Sequence, residues 1–395
     1  MTASAISATQ RPTSRRRRWI ATLVLLLTSI ALTLLAAEGL FRLAAHRLAA
    51  DGEWFAAGHI MQDDDTQLGF SMIPHSSQLA VRGGAYTVRT SINALGMRDV
   101  EHPAAPRPGT RRVLVLGDSF MFSPGVSVAD SMPRILEGLT PGLEILNAGV
   151  PGYNLEQEYL YYVHRGRSLS PRLVLLAFFI NDLAPAPAYE IARDADGLPL
   201  SYRARADGRP GRQAPEPGLR GATASWLRAH SLLYVFARKR LGGTRRGETA
   251  APRTDAPRAM PPELEAFRAG EPPPAAWAQA WRVLDALRAE VTRTGASLAV
   301  VMIPSPVQIS DAAWSDWVRW LQESPESLDR RGPQRRLASW CAATATPCLD
   351  LLDAYFDVPV DRFYIRHDLH WTEEGHERAA GAVAAFLRAK GLAGV

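Results

Sequence analysis

Residues 112–120 read RVLVLGDSF: an apolar run, Val113 to Leu116, closed by Gly117 and followed by Asp118, Ser119 and Phe120. A short continuous apolar run bounded by a turn residue is the pattern of a strand buried on both faces. Similar runs recur at Leu143 to Leu146, Leu173 to Phe179, Leu298 to Ile303 and Leu349 to Leu352. Between them, Ser131 to Leu139, Leu155 to Arg167, Ala275 to Arg293 and Arg335 to Ala343 read as helices, and the Ala-rich segment Glu373 to Lys390 as a closing helix. Strands alternating with helices imply right-handed crossovers and a parallel sheet covered on both sides, an α/β fold. In such a sheet ligands bind beyond the carboxyl ends of the strands, which is where Ser119 stands. A serine after a strand is common, and no G-x-S-x-G elbow surrounds this one.

The chain has 395 residues, enough for one or two domains and a sizeable core. With 47% hydrophobic and 22% charged residues it is neither disordered, collagen-like nor a multi-span membrane chain. Its net charge of +5 is not spread over the body. Arg11 and Arg15 to Arg18 supply all of it, no acid precedes Glu38, and the remainder sums to zero. A basic tag is no nucleic-acid footprint, so no nucleic-acid partner is expected.

The arginines precede WIATLVLLLTSIALTLLAA, Trp19 to Ala37, which carries no charge. At about 1.5 Å per helical residue these residues span roughly the 30 Å of a bilayer core, and the arginines should remain cytoplasmic. The expectation is a single-pass membrane protein with its catalytic domain outside the cytoplasm, periplasmic or on the outer face. A cleaved signal peptide is the other reading, but its apolar stretch is usually shorter, and Leu35-Ala36-Ala37 is a poor cleavage site.

The expected organisation is a basic stub at 1–18, an anchor at 19–40, a juxtamembrane extension at 41–110 and an α/β domain at 111–395. The stretch at 101–110, EHPAAPRPGT, looks like a linker. Residues 184–262, rich in Pro, Gly and Arg, interrupt the domain as a lid, a binding loop or a disordered insert. Inside the insert, Ala224 to Leu241 is amphipathic, and it reads as a helix on the domain's side, a lid, or a helix on the membrane surface. Cys341 and Cys348 either close a small disulfide loop between a helix end and a strand or stay unpaired.

A serine nucleophile needs a base, and the base an orienting acceptor. In RHDLHWTEEGH, residues 366–376, Asp368 stands two before His370 in a short loop ahead of the last helix. At that spacing Asp368 can accept from one ring nitrogen of His370 while the other faces Ser119. The alternatives are a capping or core histidine at 370, a helix-surface histidine at 376, and a metal held by His367, Asp368 and His370. Gly152 in NAGVPGYN, after the second strand, lets a backbone N–H approach a substrate oxygen. Asn181 in FIND, after the third strand, offers a second donor at the same edge.

Taken together and in order, GDS at 117–119, Gly152, Asn181 and the Asp368/His370 pair resemble the four blocks of the SGNH (GDSL-type) hydrolase superfamily. The resemblance covers about 111–183 and 295–390. It implies a three-layer, flavodoxin-like parallel sheet with Ser119 as nucleophile, His370 as base and Asp368 as its partner. It also implies an oxyanion hole of the Ser119 and Gly152 N–H groups and the Asn181 side chain, with no metal or cofactor. Two departures stand out. Phe179 occupies the place where the third block expects glycine, and the last block is D-x-H-W, similar to the membrane-anchored alginate O-acetyltransferase-like branch. The stretch SINALGMR, residues 91–98, also looks like what precedes the domain in anchored members.

The expected activity is that of a serine esterase or deacetylase working through an acyl-serine on an acyl ester or acetylated glycan. An O-acyltransferase modifying an envelope polysaccharide, fed by a multi-span acyltransferase partner in the membrane, is the alternative. A catalytically silent glycan-binding or scaffolding module is the third reading.

Overall fold

The computed structural model describes residues 15–184, 189–204, 218–241, 265–270, 275–366, 368 and 370–394. Its central sheet has five parallel strands: β1 (Arg111–Gly117), β2 (Leu143–Gly149), β3 (Leu173–Phe178), β4 (Ser297–Met302) and β5 (Cys348–Asp350). Their order is β5-β4-β3-β1-β2. All residues of β2 and β3 are buried, which explains why β3, LVLLAF, reads as an unbroken apolar run, whereas β2 also buries Glu144 and Asn147. Helices Leu155–His164 and Ala275–Arg293 pack together on one side of the sheet, and Met132–Leu139 and Glu373–Ala389 pack together on the other. This is the three-layer α/β fold expected from the sequence.

The topology fixes the place for a site. The chain leaves β1 for β2 on one side and then crosses to β3 on the other, so the order reverses at β1, and the crevice opens above such a reversal. Gly117 pairs with Gly149 of β2 and with Ala177 of β3, so the three strands end nearly level. Ser119, Gly152 and Asn181 therefore leave the sheet along one edge.

Several boundaries differ from the sequence reading. The helix after β2 stops at His164, and Gly166–Leu169 continues as a 3-10 turn. Residues 41–110 are more structured than the polar composition suggests. The N-terminal helix runs on to Leu48, and a small antiparallel sheet of Trp54–Gly58, Ser77–Arg82 and Tyr86–Ser91 follows. The linker-like residues are pinned by Arg112 of β1, which is wholly buried and donates to the carbonyls of Pro103, Ala104 and Ala105 as well as to Glu144. These carbonyls lie outside any strand, so a guanidinium takes the part of a ladder partner.

The interruption also carries structure. A hairpin of Tyr189–Arg193 and Pro199–Ala204 is followed by helices Leu219–His230 and Leu232–Leu241, which break at Ser231. The amphipathic stretch from Ala224 is thus two helices, and they pack on the N-terminal helix and the strand Trp54–Gly58, not on the side of the central sheet. Residues 185–188, 205–217 and 242–262 of the insert lie outside the described residues. Cys341, in helix Gly332–Thr344, and Cys348, opening β5, form a disulfide with their Cα atoms 6.2 Å apart.

Candidate active site

Asp118 and Ser119 form the sharp turn that follows β1. Asp118 caps the four-residue helix Ser119–Phe122, its Oδ1 accepting from the Phe120 N–H at 2.8 Å. The helix lies so close to the strand ends that a Cβ on Gly149 would sit 2.6 Å from the Phe122 nitrogen, closer than side chains pack. This is why the residue closing β2 is glycine. Ser119 is partly exposed, and among the described residues its Oγ makes no hydrogen bond.

His370 lies beside this turn. Its Nδ1 is hydrogen-bonded to Asp368 Oδ1, and its ring rests 5.5 Å, centroid to centroid, from that of Phe120, the residue after Ser119. Phe120 also meets Trp371 at 4.9 Å and Phe179 at 4.7 Å. One aromatic side chain thus ties the turn after β1 to the loop before the last helix and to the end of β3. Phe179, which departs from the expected glycine, fills this contact. Asp368 has a second partner, Arg82, whose Nε lies 3.5 Å from Oδ2. Burial pushes the Asp368 carboxyl up, but the hydrogen bond and charge of His370 and the charge of Arg82 outweigh it, and the group ends below its ordinary value.

The donor side assembles at the same edge. Asn181 follows β3, and its Nδ2 donates one hydrogen to Asp118 Oδ2 at 2.7 Å, leaving the other N–H free to turn outward. Gly152 has φ +83°, a conformation glycine adopts without strain, and a Cβ there would meet only Phe70 Cζ at 3.8 Å. Among the described residues, no acceptor takes the backbone N–H of Ser119 or of Gly152. Unpaired donors at one edge are what a developing anion needs.

Beneath these groups Asp118, Glu158 and Asp182 are all buried. Burial raises each carboxyl, Glu158 and Asp182 well above the usual range, with the charge of Asp182 and then of Asp118 adding to Glu158 and that of Asp118 adding to Asp182. Both carboxyl oxygens of Glu158 and Oδ1 of Asp182 have no hydrogen-bond partner among the described residues.

His376 is the clearest difference from expectation. It is fully buried, not on the helix surface, and its Nδ1 accepts from the Met132 N–H at 3.3 Å. Burial, with the charge of Arg98 next, lowers its pKa to about 3, so it stays neutral. His367 lies outside the described residues, and among those described no cluster of His, Cys, Asp or Glu is arranged to hold a metal. A surface depression of about 410 Å³ lined by Ala354, Glu374 and Arg378 is away from the Ser119 edge.

One residue that the chemistry-led reading passed over is Arg98, the last residue of SINALGMR. It is buried, and its guanidinium donates to the carbonyls of Phe122 and Ser123 at 2.6 Å and of Val126 at 2.5 Å. It thus holds the segment that closes the Ser119 turn. Burial draws its pKa down to about 10, which leaves it charged at neutral pH. Arg98→Ala strands three carbonyls at once and should destabilise the fold by about 4 kcal/mol, read as a clear fall in the thermal midpoint. An unchanged midpoint would show that the carbonyls find other donors.

Residues 267–395 match the family model described as SGNH hydrolase-like domain, acetyltransferase AlgX. The matched stretch contains Asp368 and His370 and begins after Ser119, Gly152 and Asn181. A search of curated protein sequences found no match. Among solved structures the chain is similar to a lipase/acylhydrolase from Enterococcus faecalis, at 14% identity over 71% of this chain and 97% of that one, with a TM-score of 0.37. It is also similar to an inhibitor-bound aryl esterase of M. smegmatis, at 12% identity over 71% and 99%, with a TM-score of 0.37. A carbohydrate acetylesterase family member from Sinorhizobium meliloti matches at 9% identity over 71% and 98%, with a TM-score of 0.35. With scores this low, nothing below rests on the three structures.

Proposed function

We propose, from the premise that the chain carries an SGNH hydrolase-like domain, that it cleaves carboxylic esters through an acyl enzyme on Ser119. The observation that carries this reading is the Asp368–His370 pair lying against Phe120, the residue after a serine whose hydroxyl makes no hydrogen bond among the described residues.

Ser119 Oγ attacks the ester carbonyl carbon, and His370 takes the hydroxyl proton on Nε2 while Asp368 holds Nδ1–H. The tetrahedral oxyanion is met by the Ser119 and Gly152 N–H groups and by the free N–H of Asn181. Collapse expels the alcohol, which leaves with the proton from His370, and the acyl group stays on Ser119. Water then releases an acid, or a sugar hydroxyl takes the acyl group. Losing one such donor typically costs ~10²–10³ in rate, so Asn181→Ala should lower kcat by about that factor with little change in KM. A kcat within twofold of wild type would remove Asn181 from the oxyanion hole.

Hydrolysis is the leading reading, with an acyl ester or acetylated glycan as substrate. The match to an acetyltransferase domain supports transfer to an envelope polysaccharide as the second. Incubating the protein with an acetyl ester, with and without an acetyl-free oligosaccharide, separates them. Free acetate formed equally in both supports the hydrolase, and acetyl-oligosaccharide formed at the expense of acetate supports the transferase.

The place of work also belongs to this proposal. Helix Arg15–Leu48 is long and apolar enough over 17–48 to cross a membrane, and we read it as an anchor with the domain outside the cytoplasm. The Gly84 N–H donates to the carbonyl of His46 at 2.8 Å, and Arg82, two residues earlier, reaches Asp368. His46 lies nine residues beyond Ala37, about 14 Å along a helix. So short a stalk favours an ester or acyl donor at the membrane, with a multi-span acyltransferase as the partner a transferase would need.

A further inference from the structure

The helix pair Leu219–His230 and Leu232–Leu241 is docked at one defined height on the N-terminal helix. Glu38, the first charged residue after the charge-free stretch, accepts from the Leu232 N–H at 2.8 Å, from the Leu233 N–H at 3.0 Å and from Ser231 Oγ at 2.8 Å. Arg42, one turn on, donates to the His230 carbonyl at 2.6 Å. Phe41, Ala45, Phe55, Val81 and Leu232 then close a small apolar core with Phe236 packed against it. The junction of the two helices is therefore held level with the first turn beyond Ala37.

That level has a physical meaning. Headgroups add roughly 5–8 Å to each side of a bilayer's hydrocarbon core. A helix rises about 1.5 Å per residue, so Glu38 and Arg42 lie within that layer. The pair presents what such a layer selects. Leu219 is 85% exposed and Trp226 59%, and being seven residues apart they share a helix face. Leu40 and Leu43 are exposed at the same height on the anchor. From Leu219 to Leu241 there are five cations and no acid, and while Lys239 and Arg240 meet Glu53, Arg220, Arg228 and Arg238 have no carboxylate partner among the described residues. In water an exposed Leu and Trp face flanked by arginines gains nothing, but at an anionic membrane surface both halves are satisfied.

We propose that residues 219–241 lie in the headgroup layer of the bilayer that the anchor crosses, with Leu219 and Trp226 turned toward the acyl chains and Arg220, Arg228 and Arg238 toward lipid phosphates. This rests on the reading of Arg15–Leu48 as a membrane anchor. With two attachments, the anchor and the helix pair, the domain is fixed in orientation and cannot swivel on a single helix.

The test uses the full chain reconstituted in vesicles of phosphatidylethanolamine and phosphatidylglycerol. Among the described residues no free cysteine competes for a label. Nitroxide labels are placed through Trp226→Cys, through Leu27→Cys within the anchor, and through Leu139→Cys, at the edge of the sheet away from Ser119. Collision with oxygen, which partitions into lipid, is compared with collision with a water-soluble nickel chelate. The expected result is an oxygen-to-nickel ratio at position 226 several-fold above that at 139 and approaching that at 27. A ratio at 226 equal to that at 139, with 27 buried in lipid, overturns the proposal and leaves the anchor standing. A water-accessible label at 27 overturns the anchor and the proposal together. Shielding of position 226 from both colliders would mean that a protein surface covers it, which also overturns the proposal.

Discussion

Ser119→Ala is expected to lower kcat for ester cleavage by about 10⁶-fold and to leave the thermal midpoint unchanged. On the proposed mechanism the loss is large because the hydroxyl supplies the nucleophile. The fold should tolerate it because Ser119 is partly exposed and its Oγ makes no hydrogen bond among the described residues. His370→Ala added to Ser119→Ala should cost nothing further, since a base without its nucleophile has no proton to take. Activity within tenfold of wild type in the purified Ser119→Ala protein would place the nucleophile elsewhere.

Asp368→Asn should lower kcat by about 10⁴-fold at neutral pH. An amide at this position presents either an oxygen without charge, which stabilises the imidazolium less, or a hydrogen that reverses the bond to Nδ1 and misplaces the imidazole proton. The variant also leaves Arg82 facing a neutral group. Because the Asp368 carboxyl lies below its ordinary value, the pair's contribution to stability is fully present above about pH 4 and is lost only as pH falls through the lower folded value. Asp368→Asn therefore forfeits that stabilisation at pH 7 as well, so the loss of rate is read against the folded state of the variant. The check is kcat measured alongside near-ultraviolet circular dichroism, and a rate within tenfold of wild type with the spectrum unchanged would deny Asp368 its role.

Much of the central sheet was legible because burial on both faces leaves unmistakable runs, as in Val113 to Leu116 and Leu173 to Phe178. The contact between Asp368 and His370 was also legible, because it is local, two residues apart in one loop. Other features depended on distant partners. Nothing around His376 in the sequence tells it from a surface helix residue, since the Met132 N–H that it accepts comes from another helix more than two hundred residues earlier. Arg82 and Arg98 stand in a stretch that reads as juxtamembrane filler, yet one reaches Asp368 and the other the carbonyls behind Ser119. A charge reads the same in sequence whether it meets water or a buried carbonyl. A helical stretch at 224–241 was recognisable by amphipathicity, but its break at Ser231 follows from Glu38, nearly two hundred residues away, taking the N–H groups that open the second helix.

The covalent step is tested most directly by treating the folded full-length protein with a fluorophosphonate and locating the adduct by peptide mass. The account predicts one adduct on the peptide carrying Ser119, none in Ser119→Ala, and much slower labelling in His370→Ala. A folded wild-type protein that takes no label, or a Ser119→Ala protein that labels as well as wild type, would contradict it.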